Sequence, residues 1–125
     1  MEALHLSDLG AVYCRVDRLE EAIDHLNQAA ALARHTGDRK AEGHALEVLS
    51  FVDLMRGNPA VAADHARQAI EIFRHAGLPL GEGITLGRLA MACLKLRRFD
   101  DAIRYGNESI AIGTDIGDRM GQAFS

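Results

Sequence analysis

The sequence matches itself when displaced by 40 residues. Gly37, Gly77 and Gly117 fall in one column, and Ala22, Ala62 and Ala102 in another. Leu6, Leu46 and Leu86 align, as do Leu9, Leu49 and Leu89. Ala29, Ala69 and Ser109 keep a small residue in register, while Leu32, Ile72 and Ile112 keep an aliphatic one. A period of this length means stacked supersecondary units, each unable to bury its apolar face alone and each covered by its neighbour. Apolar residues align by accident in a chain that is 48% hydrophobic, but its glycines would not align with them.

Each unit reads as two helices. Leu6, Leu9, Val12, Tyr13 and Val16 recur at steps of three and four, which is one helical face. Asp17 and Glu20 form a capping-box pattern ahead of Leu19, Ala22, Ile23, Leu26, Ala29, Ala30 and Ala33. Arg34 and His35 suit a helix C-terminus, and Gly37 suits the left-handed residue that ends it. The second unit ends its first helix at Gly57-Asn58-Pro59 and its second at Gly77, with Pro79 opening the next. The third breaks at Arg97-Arg98, and Asp100 and Asp101 follow in a first turn. No segment sustains a period of two. The spacing predicts six helices near 3–16, 19–36, 39–56, 59–76, 79–96 and 99–116.

The chain has 125 residues, enough for one domain with a real core, and its composition is too apolar for disorder. A net charge of −4 argues against a nucleic-acid surface. Two cysteines make no disulfide framework, so a reducing, cytoplasmic setting is expected. No apolar run approaches the roughly 20 residues that span a bilayer, so no membrane partner is expected.

The columns resemble the tetratricopeptide repeat. That family places a large residue, Leu-Gly and an aromatic on the first helix, then alanine, a large residue and alanine on the second. The first unit gives Leu6, Leu9-Gly10, Tyr13, Leu19, Ala22, Leu26 and Ala29. The second gives Leu46, Leu49-Ser50, Asp53, Pro59, Ala62, Ala66 and Ala69, and the third Leu86, Leu89-Ala90, Cys93, Phe99, Ala102, Gly106 and Ser109. Asp53 and Cys93 depart from the aromatic, and Gly106 from the large residue. The resemblance implies an all-α, right-handed α-solenoid of three tandem helix-turn-helix repeats at about 1–38, 39–78 and 79–118, with 119–125 starting a fourth. The 40-residue period is similar to arrays in large bacterial signalling and transcriptional regulators. The absence of a polar capping helix reads as a piece of a longer array.

The sequence carries little that could do chemistry. His25 and His65 share a column, as do His35 and His75, but equivalent positions in a solenoid lie on the order of 10 Å apart. Zinc needs ligands near 2 Å, so the histidines read as a solvated face. Cys14 and Cys93 read as buried thiols. Glu20-Glu21 and Asp100-Asp101 are explained by the helix dipole, and adjacent residues on a helix do not face one substrate. No catalytic, cofactor-binding or metal residues are therefore assigned, and the chain reads as no enzyme.

In the family the first helices line a concave groove. The matched columns place Asp8, Arg15, His44, Glu47, Phe51, Met55, Arg88, Met91 and Lys95 there. Family members that clamp a C-terminal carboxylate use Asn and Lys, and Asp8, Val48 and Arg88 do not supply that clamp. The resemblance implies a non-catalytic module that binds a protein or peptide. The alternative is a sensor segment of a multidomain bacterial transcriptional regulator. Ile103, Ile110 and Ile112, followed by Met120 and Phe124, are expected on an uncovered outer face through which two copies could pair.

Overall fold

The computed structural model describes residues 17–124, with side chains for 18–120. The helix expected at 3–16, with Asp8, Cys14 and Arg15, lies outside the described residues. Five helices follow: α1 (Asp17–Thr36), α2 (Arg39–Met55), α3 (Pro59–Ala76), α4 (Pro79–Lys95) and α5 (Phe99–Phe124). No strand occurs among the described residues. Each helix packs on the next, and α2 also meets α4, so the chain stacks as an α-solenoid.

The four turns share one bonding scheme. At each, a left-handed residue donates its amide three residues back, and the following residue donates five back. Gly37 and Gly57 donate to Arg34 O and Leu54 O, while Asp38 and Asn58 reach Ala33 O and Asp53 O. Gly77 and Arg97 donate to Arg74 O and Leu94 O, while Leu78 and Arg98 reach Phe73 O and Cys93 O. Three of the left-handed residues are glycine, and the fourth is Arg97, at φ 63. The helices that follow start for local reasons. Asp38 accepts the amide of Ala41 at 3.1 Å, and Pro59 and Pro79 sit in first turns where their missing N–H costs nothing.

Small residues set the spacing between helices. Ala62, Ala66, Ala69, Ala92 and Ser50 are all fully buried. The Ser50 hydroxyl donates to Ala62 O at 2.9 Å, tying α2 to α3 where they cross. Leu46 and Leu49 of α2 fill the seam with Ile23 and Leu26 of α1 and with Ala69, Ile72 and Phe73 of α3. Leu86, Leu89, Ala92 and Cys93 of α4 pack with Ala62, Ala63, Ala66 and Ile70 of α3. The Phe73 ring is wedged between two helix starts. A Cβ on Gly43 would lie 2.9 Å from it, and one on Gly81 would lie 2.8 Å from it.

Three expectations are corrected. The last helix does not stop at 116 for a fourth unit to begin at 119, but runs unbroken through Gly117 to Phe124. The earlier junctions are clasped by Arg34 on Glu42 at 3.0 Å and by Arg74 on Glu82 at 2.7 Å. The same columns then hold the uncharged residues Thr114 and Gln122, and continuing the helix adds a backbone bond per residue. Ile112 does not face outward: it is half-buried against the α4 core, with Cγ2 3.1 Å from where a Cβ on Gly83 would stand. His65 is not on a solvated face, because its ring meets Asp53 across the α2–α3 crossing.

Two outcomes test this packing. Ala66→Leu should lower unfolding free energy by roughly 1–3 kcal/mol through overpacking, read by urea denaturation. Arg97→Gly should raise stability by up to about 1 kcal/mol, because a left-handed residue with a Cβ is strained where glycine is not.

Candidate interaction surface

The first helices of successive units, α2 and α4, present one continuous face. Their spacing is set by the small residues beneath, so side chains at matching turns come together across the seam. Phe51, Leu54 and Met55 of α2 meet Gly87, Arg88, Met91 and Lys95 of α4 around a cavity of about 450 Å³. Phe51, Met55 and Met91 are exposed there, while Val52 and Leu49 on the same helices are buried.

Arg88 organises this face. Its Nε donates to Glu47 Oε2 at 3.1 Å, and its guanidinium lies 4.3 Å above the centre of the Phe51 ring. Glu47 is almost buried, so removing Arg88 would leave its carboxylate desolvated and without its ion-pair partner. Stacking on Phe51 adds about 0.5–1 kcal/mol at an exposed site. Arg88 is therefore an internal brace between two units, with its charge already answered. Lys95 forms no ion pair among the described residues, and its ammonium is the free charge of this cavity.

Of the nine residues the sequence assigned to a groove, the structure brings Phe51, Met55, Arg88, Met91 and Lys95 together, with Glu47 bonded behind them. His44 stands apart. It lines a second cavity of about 480 Å³ with Lys40, Phe73, Leu80, Ile116 and Met120. Asp8 and Arg15 lie outside the described residues.

The columns also missed a polar contact. Asp53 is buried, and the His65 Nδ1–H donates to its Oδ2 at 2.6 Å. No other hydrogen bond reaches the Asp53 carboxylate among the described residues. In the next unit Cys93 and Tyr105 occupy the same two columns and pack in one cluster. The signal was the 12-residue offset from Asp53 to His65 and from Cys93 to Tyr105, which sets a ring on the second helix opposite each missing aromatic. Burial pushes the Cys93 thiol up from its ordinary range, against the pull of Arg67, which leaves it a poor nucleophile at neutral pH. Among the described residues no cluster of three His, Cys, Asp or Glu could hold a metal ion, and no helix is long and apolar enough to cross a membrane.

The family model of the tetratricopeptide repeat matches residues 1–75. The chain belongs to the tetratricopeptide repeat family. Residues 79–124 fall outside that match, yet α4 and α5 repeat the α2–α3 hairpin column for column up to Gly117. Among curated proteins, none matches the chain. Tetratricopeptide repeats are in general non-catalytic modules for protein–protein interaction, and the exposed α2–α4 face belongs to such a fold.

His65→Ala should lower stability by about 1–3 kcal/mol, since it leaves the buried Asp53 carboxylate without its partner. Thermal and urea unfolding check this. The double change Asp53→Leu with His65→Leu should recover much of the loss, because replacing both partners by apolar groups removes the orphaned charge.

Proposed function

We propose that this chain binds a peptide or helix of another protein across the concave face of α2 and α4. The observation that carries the reading is the cavity where Phe51, Met55 and Met91 stand exposed around the Arg88 brace. Methionine is unbranched and polarizable, so it adapts to varied partners, and aromatic residues are enriched among binding anchors. Arg88 holds the Phe51 ring in place before any partner arrives, which lowers the ordering cost of binding. Lys95 selects an acidic group at one end of the ligand and sets its register. The ligand chemistry is then apolar residues spaced to meet Phe51, Met55 and Met91, with a carboxylate toward Lys95. Net negative charge and family membership support a protein ligand over a nucleic acid.

Selection of displayed peptides against the folded chain tests this. Enriched peptides should be amphipathic with an acidic flank. Met91→Ala and Met55→Ala should each weaken them by more than about 1 kcal/mol if they are anchors. Lys95→Glu should act chiefly on association rate and salt dependence. Ligands that bind all three variants as they bind the parent would place the functional surface elsewhere.

A further inference from the structure

The second helices of successive units, α3 and α5, stand apart over α4 and leave a cleft of about 460 Å³ between them. Ile70, Leu86 and Leu89 form its apolar floor, and Tyr105 of α5 makes one wall. It shares no lining residue with the α2–α4 cavity assigned above to peptide binding. Its volume falls within the roughly 300–1,000 Å³ of ordinary small-molecule sites.

The charges on its rim fall into two groups. Toward the end of α3, Arg74 reaches across to Glu108 at 3.5 Å while it holds Glu82 at 2.7 Å, and Glu71 faces His75 at 3.7 Å. The glutamates of the cleft are thereby answered. Arg67 and Arg104 are tied only to Asp64 at 3.5 Å and Asp101 at 3.2 Å, three residues back on their own helices. Exposed pairs of that kind hold their members weakly, and neither aspartate lines the cleft. The Arg104 guanidinium also rests 4.6 Å from the centre of the Tyr105 ring, which keeps it beside the apolar wall. Burial raises the Cys93 thiol, and Arg67 and Arg104 both pull against that rise, so their charges bear on one stretch of α4. The repeat itself requires neither arginine. Arg74 recurs as Arg34, which makes the same clasp, but the columns of Arg67 and Arg104 hold Asn27 and Asp64 in the unit before, and that of Tyr105 holds His65.

We propose that the cleft binds a small aromatic phosphate monoester, its phosphate held between Arg67 and Arg104 and its ring laid on the apolar floor against Tyr105. A phosphate monoester is close to a dianion at neutral pH, so it matches two guanidinium groups where a carboxylate leaves one unmatched. Guanidinium groups grip such oxygens through paired N–H donors, and the two weak aspartate contacts are all that binding displaces. An aromatic body suits the wall, because ring pairs gain beyond the area they bury.

Isothermal titration calorimetry of the full chain with phenyl phosphate at neutral pH tests this, and saturable binding is expected. Arg67→Asn and Arg104→Gln should each weaken it at least tenfold. Circular dichroism and the unfolding midpoint should stay unchanged, because both side chains are exposed and asparagine already stands in the column of Arg67. Arg119→Gln, which removes an exposed charge outside the cleft, should leave binding intact. Benzoate lacks the second charge and inorganic phosphate lacks the ring, so each should bind at least tenfold more weakly. Absence of saturable binding overturns the proposal, as does binding indifferent to both cleft variants or lost equally in Arg119→Gln. Benzoate binding as tightly as phenyl phosphate would make this a carboxylate site, and inorganic phosphate binding as tightly would make it a charge cluster with no role for the ring. Either result overturns the proposal.

Discussion

Close crossing of small residues governs the rest of the molecule. The Ser50 hydroxyl can bond Ala62 O at 2.9 Å only if two helix backbones lie nearly in contact, and Ala62, Ala66, Ala69 and Ala92 keep them there. With the helices this near, each larger aliphatic has one place to go. Leu49, Leu86 and Leu89 are buried to within 1% because the spacing leaves no alternative. A well-packed interior of this kind transmits its geometry outward. The distance between α2 and α4, and hence the arrangement of Arg88 over Phe51, follows from side chains buried beneath that face.

The period and the turn residues made most of the fold legible. Gly37, Gly57 and Gly77 announced helix ends, and Pro59 and Pro79 announced starts, because each residue type is suited to one backbone state. Legibility failed where a contact depended on two columns at once. Asp53 looked like a defect when read against Tyr13, but a ring from the second helix answers it. His65 looked solvated because its column partner His25 stands a whole repeat away, too far to share a metal, and only His25 is in fact exposed. Neither column alone reveals that the pair shares one crossing. Arg97 made the same turn as Gly57 without the residue that usually marks it, and only flanking charge pointed to a break. Of the groove, the apolar anchors were readable from their register. The engagement of Arg88 was not, since Glu47 lies 41 residues away.

The junctions between units add a constraint that the glycines do not carry. Arg34 bonds Glu42 and Arg74 bonds Glu82 through the same atoms, Nε to Oε2, so one clasp repeats across two turns. Glu42 also takes a 2.8 Å contact from Arg39. Gly117-Asp118-Arg119 copies the residues of Gly37-Asp38-Arg39, yet the helix continues through it. The tripeptide therefore permits a turn without imposing one. An arginine before and a glutamate after mark the two junctions that do turn, and Thr114 and Gln122 occupy those positions in the last helix.

α4 shows how these constraints meet on one element. Its buried stripe of Leu86, Leu89, Ala92 and Cys93 holds the stack together. Its second face, with Gly87, Arg88, Met91 and Lys95, lines the cavity shared with α2, and its third, with Ala90, Met91 and Leu94, lines a cavity of about 580 Å³ shared with α5. Glu82, Arg88 and Lys95 are the charged residues among its 17. Glu82 is spent on Arg74 and Arg88 on Glu47, which leaves Lys95 at the end. A helix apolar nearly all round is ordinarily one that is buried all round. α4 is buried along one stripe and open along two, so its composition suits contacts beyond those it makes within the stack. Met91 belongs to both open faces, and its flexible thioether can pack toward either.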